Sequence, residues 1–261
     1  MKSKTAILSV FLLSGLLASC SSTSYRSLDT IKSSGTLSIS TNAEFPPFES
    51  VSNGKIVGVD ADIITSYAES IGVSADIQDM DFDAALTSVS TYKVDVAIAG
   101  ITENDERKET MDFSDSYFSA NQVAIVPTSS TYASLTSADD IVNALNKSGL
   151  KIGVQSGTTG ESFVDDSLSK ATCVGFTNGA LACQSLTNGQ IDAVVIDLEP
   201  AKLYCKSFTT LSYLDSILTE EEYAIAIAKG NDSLVESINS FIKTIKENGT
   251  LASILNTYFG E

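Results

Sequence analysis

Histidine and tryptophan are absent from this chain of 261 residues, and arginine occurs only twice, at Arg26 and Arg107. The lack of histidine excludes His-based acid–base chemistry, Ser-His-Asp triads and His-ligated zinc together. Cysteine is scarce. Beyond Cys20 only Cys173, Cys183 and Cys205 remain, in neither CxxC nor zinc-site spacing. Outside the cytoplasm two of these three can pair, leaving one thiol, or all three can be small buried side chains. Basic residues are few, 16 against 33 acids, for a formal charge of −17. So acidic a body is unsuited to nucleic acid or to an anionic membrane surface. After residue 20 no apolar run is long enough to span a bilayer. No motif implies a metal or a cofactor.

What is present starts with a leader. Lys2 and Lys4 precede the uncharged apolar and small-residue stretch Thr5–Ala18, the basic and hydrophobic regions of a secretory signal. It ends Leu17-Ala18-Ser19-Cys20, which resembles the bacterial lipoprotein box. That resemblance implies a signal peptide over residues 1–20, with Cys20 acylated as the mature N-terminus and residues 21–30 serving as a Ser-rich tether. Two or three acyl chains hold a protein at a membrane stably, whereas one is marginal. Loss of residues 1–20 removes two lysines and no acid, taking the formal charge from −17 to −19.

Residues 21–261 suffice for two modest domains or one large one. Short β-rich runs alternate with helical patterns, which argues for an α/β fold. Strands are expected at Leu37–Thr41, Ala75–Gln78, Val94–Ala99, Gln122–Pro127, Lys151–Val154, Cys173–Phe176, Ala193–Ile196 and Tyr223–Ala228. Helices are expected at Asp62–Ile71, Phe82–Thr91, Ser137–Asn146, Gly160–Ser169, Gly179–Thr187 and Pro200–Lys206. A further helix carries Leu234, Ile238, Phe241 and Ile245 on one face, is broken at Asn248-Gly249, and is followed by another with Leu251, Ile254, Leu255 and Tyr258. The Ser/Thr-rich stretch Thr128–Thr136 reads as a crossover between lobes.

Three loops carry chemistry. Arg107 follows the run Val94–Ala99, with Gly100 and Thr102 between. A planar guanidinium grips a carboxylate through two parallel hydrogen bonds, which the lysines used elsewhere cannot do. An ion pair with Glu103, Asp105 or Glu106 is the alternative role. The loop Gln155-Ser156-Gly157-Thr158-Thr159-Gly160 presents amides at a helix N-terminus, suited to an anion, with Thr158 or Thr159 as a cap. It lacks the lysine of a phosphate loop. Asp197 ends an apolar strand, where open α/β sheets place ligand groups, and suits an ammonium ion or else caps the next helix. Arginine for a carboxylate and aspartate for an ammonium together describe an α-amino acid site.

With Thr41-Asn42-Ala43-Glu44-Phe45-Pro46-Pro47-Phe48-Glu49, Val57-Gly58-Val59-Asp60-Ala61-Asp62-Ile63 and Asp112-Phe113-Ser114-Asp115, these loops occur in an order that resembles the bacterial extracellular solute-binding proteins of family 3. The resemblance covers essentially the whole mature chain. It implies a two-lobed periplasmic-binding-protein-like clamp (type II), each lobe a central β-sheet flanked by helices, joined by a two-strand hinge. Residues 31–123 plus 222–261 would form one lobe and 124–221 the other. It also implies a monomer, held outside the cytoplasm by the lipid on Cys20, that binds a polar L-amino acid and delivers it to the permease of an ABC importer, without enzymatic activity.

By the same resemblance Arg107 binds the ligand carboxylate with Thr102 and Thr159, while Gly100, Thr102 and Asp197 hold the α-ammonium. Phe45 packs on the ligand side chain, and Asn42, Glu44 and Gln155 are polar specificity contacts, with Thr158 in the same loop. Val59 stands where some members carry an aromatic, so one stacking wall is thinner. Asn42 stands where several carry Asp. Glu44 and the acidic body favour a cationic or neutral ligand. Two alternatives belong to the same fold: a sensing module for a separate signalling partner, and a cyclohexadienyl dehydratase-like enzyme with Glu44 or Asp197 as its acid.

Overall fold

The computed structural model describes residues 24–260, so Cys20 and the leader lie outside the described residues. The chain forms two sheet-rich lobes. In the first, strands Ser74–Asp79, Thr36–Thr41 and Val96–Ala97 are parallel, with Ile39 facing Ile77 on one side and Val96 on the other. Ala226–Ala228 and Met111–Phe113 complete this sheet, the former antiparallel to both its neighbours. Helices Val59–Ser70 and Asp232–Glu247 meet at the core. The latter buries Leu234, Ile238, Ile242 and Ile245, each worth about 1.5–3 kcal/mol of transfer free energy. Ile242 takes the place expected for Phe241, whose half-buried ring stands edge-on to Tyr67 at 5.5 Å.

The second lobe is built on parallel strands Thr172–Phe176, Lys151–Gln155 and Ala193–Asp197, then the long antiparallel strand Phe118–Pro127 and Leu211–Tyr213. The run Ala193-Val194-Val195-Ile196 is apolar throughout because helices cover both faces. Val194 and Ile196 pack with helices Gly179–Thr187 and Leu198–Ser207, whereas Ala193 and Val195 pack with Ile141, Leu145 and Val164 on the other side. Cys173, Cys183 and Cys205 are all free thiols. Thr128–Thr136 is not a crossover. It contains the short 3₁₀ turn Thr131–Ser134, and Tyr132, Ala133 and Leu135 pack on the second lobe's own core.

The passage between lobes lies elsewhere. Phe118–Pro127 pairs antiparallel with Thr219–Tyr223, from Phe118 opposite Tyr223 to Gln122 opposite Thr219. The expected single strand Tyr223–Ala228 is therefore two. Thr219–Tyr223 belongs to the crossing and Ala226–Ala228 to the first sheet. The expected strand Val94–Ala99 is likewise reduced to Val96–Ala97, because the chain beyond it turns toward the other lobe at Gly100 (φ 55°). An unexpected three-stranded ribbon, Glu44–Phe45, Glu49–Ser52 and Lys55–Val57, stands on the first lobe. Its Phe48 packs on Phe118, Tyr223 and Phe259 with centroids 5.1, 5.0 and 5.7 Å away.

Part of the expected tether is folded. Ser27 caps a helix over Leu28–Ser34 whose Ile31 is fully buried. Arg26 binds the carboxylate of Asp95, which is only 3% exposed and also accepts the Ser38 amide at 2.8 Å.

Candidate ligand-binding cleft

The lobes meet around a narrow cavity. Asn42, Phe45, Gly100, Thr102 and Arg107 line it from the first lobe, and Gln155, Thr158, Thr159 and Asp197 from the second. Phe82 and Ala99 line it too, although neither was anticipated.

Arg107 sits in the short helix Asp105–Lys108, whose cap Asn104 accepts the Arg107 amide at 2.8 Å. Its guanidinium donates to Thr102 O at 2.7 Å and, across the cleft, to Gly157 O at 3.1 Å. It lies over the Phe82 ring at 5.4 Å. Burial, at 9% exposure, lowers its pKa, opposed by the charges of Glu221 and Asp197. Among the described residues it makes no ion pair, and the nearby Glu103 is taken by Lys108. The ion-pair role for Arg107 is thereby set aside: its hydrogen-bond partners are carbonyls, which carry no formal charge.

Asp197 ends the strand Ala193–Asp197 and occupies the N-cap position of the next helix, yet its side chain makes no capping bond. It instead accepts the Tyr223 hydroxyl at 2.5 Å. Burial, then the charge of Glu221, pushes this carboxyl from 3.8 up to about 7. A cation seated beside it would relieve that cost.

In the Thr-rich loop the two threonines divide the work. Thr158 caps helix Thr159–Ser167, accepting from Glu161 N at 3.4 Å and donating to Gln155 O at 2.7 Å. Thr159 turns its hydroxyl to Glu221 Oε2 at 2.7 Å. Gln155 donates across the cleft to Asn42 Oδ1 at 2.9 Å, and its buried Oε1 has no protein partner. Asn42 donates in turn to Met80 O at 3.0 Å. Gly100 fits because a Cβ there would come within 2.8 Å of the Phe45 ring. Its amide is held by Asp60 Oδ2 at 2.7 Å. Asp60 is fully buried beside Glu49, and burial raises both carboxyls, Asp60 to about 6.

Glu44 does not line the cavity. Residues of a strand alternate sides, so with Phe45 turned inward Glu44 is exposed at the rim. There its Oε2 accepts Asn178 Nδ2 at 3.0 Å, and its carbonyl accepts the Tyr204 hydroxyl at 3.2 Å, both from the other lobe.

Glu221 and Phe82 escaped the sequence reading. Phe82, the first residue of an amphipathic helix, carries no mark distinguishing it from core. Glu221 lies in the acidic run Glu220–Glu222, which reads as a solvated face. The alternation Thr219, Glu221, Tyr223 was the available signal, since it places Glu221 on the side of a buried tyrosine.

A family model for bacterial extracellular solute-binding proteins, family 3, matches residues 37–261. A probable histidine-binding protein of Neisseria gonorrhoeae is 31% identical over 233 residues, which are 85% of this chain and 82% of that one. Among solved structures, an ancestral arginine-binding protein bound to arginine is 37% identical, with a TM-score of 0.78, covering 87% of this chain and 99% of its own. The ancestral amino acid-binding protein AncCDT-1, a precursor of cyclohexadienyl dehydratase, is 33% identical, with a TM-score of 0.81, covering 89% and 99%. With two lobes around a cleft that holds Arg107 and Asp197, and a match across nearly all of the folded chain, this protein belongs to family 3 of the bacterial extracellular solute-binding proteins.

Proposed function

We propose that this chain is an extracytoplasmic receptor that closes on an L-α-amino acid and delivers it to the permease of an ABC importer. The observation that carries this reading is the presence in one cavity of Arg107 from the first lobe and Asp197 from the second. Arg107 and the amides at the N-terminus of helix Thr159–Ser167 take the ligand carboxylate. An ammonium has three donors, and Gly100 O, Thr102 Oγ1 and Asp197 are three acceptors for them. Because the two charged groups lie on opposite lobes, ligand binding favours the closed arrangement. The first lobe comprises about residues 31–123 with 222–261 and the second 124–221. The receptor acts as a monomer tethered by acylated Cys20, and it binds rather than transforms its ligand.

Three features favour a side chain that donates hydrogen bonds, arginine first. Gln155 Oε1 is buried without a protein partner, Arg107 is the only cation lining the cavity among the described residues, and relatives bind histidine and arginine. Glu44, at the rim, no longer contributes to that argument. Calorimetry against the twenty amino acids tests the reading. Tight binding of aspartate or glutamate alone would overturn the ligand class, and turnover of prephenate or arogenate would favour the dehydratase instead.

A further inference from the structure

Glu221 lies on the crossing strand and accepts three hydroxyl groups: Thr102 and Thr159 at Oε2, 2.5 and 2.7 Å away, and Thr219 at Oε1, 2.7 Å away. Thr102 belongs to the first lobe and Thr159 to the second, so one carboxyl oxygen joins both walls of the cleft. A hydroxyl has a single proton and two lone pairs, and a carboxylate can only accept. Each of these threonines therefore spends its proton on Glu221 and offers only lone pairs elsewhere. Thr159 already accepts Gln122 Nε2 at 3.3 Å, whereas Thr102 keeps its remaining acceptor capacity for the cavity it lines.

We infer that Glu221 is a positioning residue that sets the polarity of the Thr102 hydroxyl, making it an acceptor for the ligand's α-ammonium and denying it to the ligand's carboxylate. This rests on the amino acid reading of the cleft. The carboxylate is then left to Arg107 and backbone amides, and the two ends of the ligand cannot exchange places. Without the Glu221 acceptor, the Thr102 proton is free to rotate toward the cavity, where it meets an ammonium donor with another donor. Glu221 itself lies behind the threonines and does not line the cavity.

The test compares L-arginine with 5-guanidinopentanoate, which is arginine without its α-amino group, by calorimetry on the wild-type protein and on E221L. In E221L, which has no acceptor, the affinity for L-arginine should fall at least about tenfold while that for 5-guanidinopentanoate changes by less than about twofold. T102V should show the same selective loss, and E221L/T102V should be no worse than either single variant. An equal loss for both ligands, or none, overturns the inference while leaving the amino acid reading intact. Failure of the wild-type protein to bind any amino acid overturns that reading instead. If E221L does not fold, NMR of the unmutated protein with labelled threonine decides. The Thr102 hydroxyl proton should stay protected from exchange before and after L-arginine binds, and a hydrogen bond from it to the ligand carboxylate refutes the assignment.

Discussion

Gly157 and Asp83 face each other across the cleft so closely that a methyl group on the glycine would have to displace the exposed Asp83 carboxylate. A Cβ on Gly157 would lie 1.7 Å from Asp83 Oδ1, and the glycine's φ of 77° is one that side-chain-bearing residues seldom adopt. Its carbonyl meanwhile accepts from Arg107. Gly157→Ala should therefore oppose closure without unfolding either lobe. Affinity should drop at least about tenfold, since holding the lobes apart leaves the closed state sparsely populated. Small-angle scattering should show no ligand-induced compaction. Adding Asp83→Ala should restore part of the loss by removing the clash while leaving the backbone strain. Unaltered affinity in the single variant would mean that the two loops separate when ligand is bound.

Arg107 is held by two carbonyls and an aromatic face, so both its shape and its charge should matter to binding. Arg107→Ala should weaken amino acid binding by about 2–5 kcal/mol, the range for truncating one partner of a buried charged contact. Arg107→Lys should recover little of this, because an ammonium lacks the planar fork and bears a compact, strongly hydrated charge. Isothermal titration of both variants checks this, and a lysine variant close to wild type would refute a role for the fork.

Asp197 should give the receptor a pH dependence. Its carboxyl, raised from 3.8 to about 7 by burial and the charge of Glu221, must be ionised to hold an ammonium. Binding below pH 7 therefore releases a proton, and affinity should fall by up to about tenfold per pH unit on acidification. For the free protein the sign is opposite. The folded state binds this proton more tightly than the unfolded chain does, so stability declines as pH rises from about 4 to 7. Asp60, raised to about 6, acts in the same direction. Titrations in buffers of different ionisation enthalpy measure the released proton, and Asp197→Asn should flatten the profile.

How much of this was legible depended on what distinguished each residue locally. The second-lobe strands Lys151–Gln155 and Ala193–Asp197 were visible as apolar runs between helix signals, since a strand covered on both faces declares itself by composition. Met111–Phe113 and Leu211–Tyr213 were not, because three residues become a strand only when a partner strand lies beside them. Arg107 and Asp197 stood out as charges at the ends of apolar segments. Glu44 stood in an informative motif but on the wrong side of its strand, an error of one residue that alternation turns into a change of face. Glu221 was hidden by its own neighbours, as acids on either side of a buried acid make it resemble surface.

The root of the folded body should be sensitive to Arg26. Asp95 is buried, and its carboxylate is satisfied by Arg26 and the Ser38 amide, while Asn231 donates to the Arg26 carbonyl at 2.8 Å. Arg26→Ala leaves a buried carboxylate short of a charged donor and should cost about 1–3 kcal/mol. Thermal unfolding should show a fall of about 2–4 °C for each kcal/mol lost. Ligand affinity should be unchanged, since Arg26 is remote from the cavity lining. Asp95→Asn in the Arg26→Ala background should recover part of the stability.

The ladder that pairs Phe118–Pro127 with Thr219–Tyr223 carries the chain out of the first lobe and back beside its own path. The second lobe is thus a single uninterrupted insertion whose two ends leave shoulder to shoulder. A two-residue turn joining Ala120 to Glu221, which face each other in the register, would excise it and leave the first lobe's chain continuous. The molecule is in this sense one domain with a second threaded into a hairpin, and a single splice should separate the halves genetically.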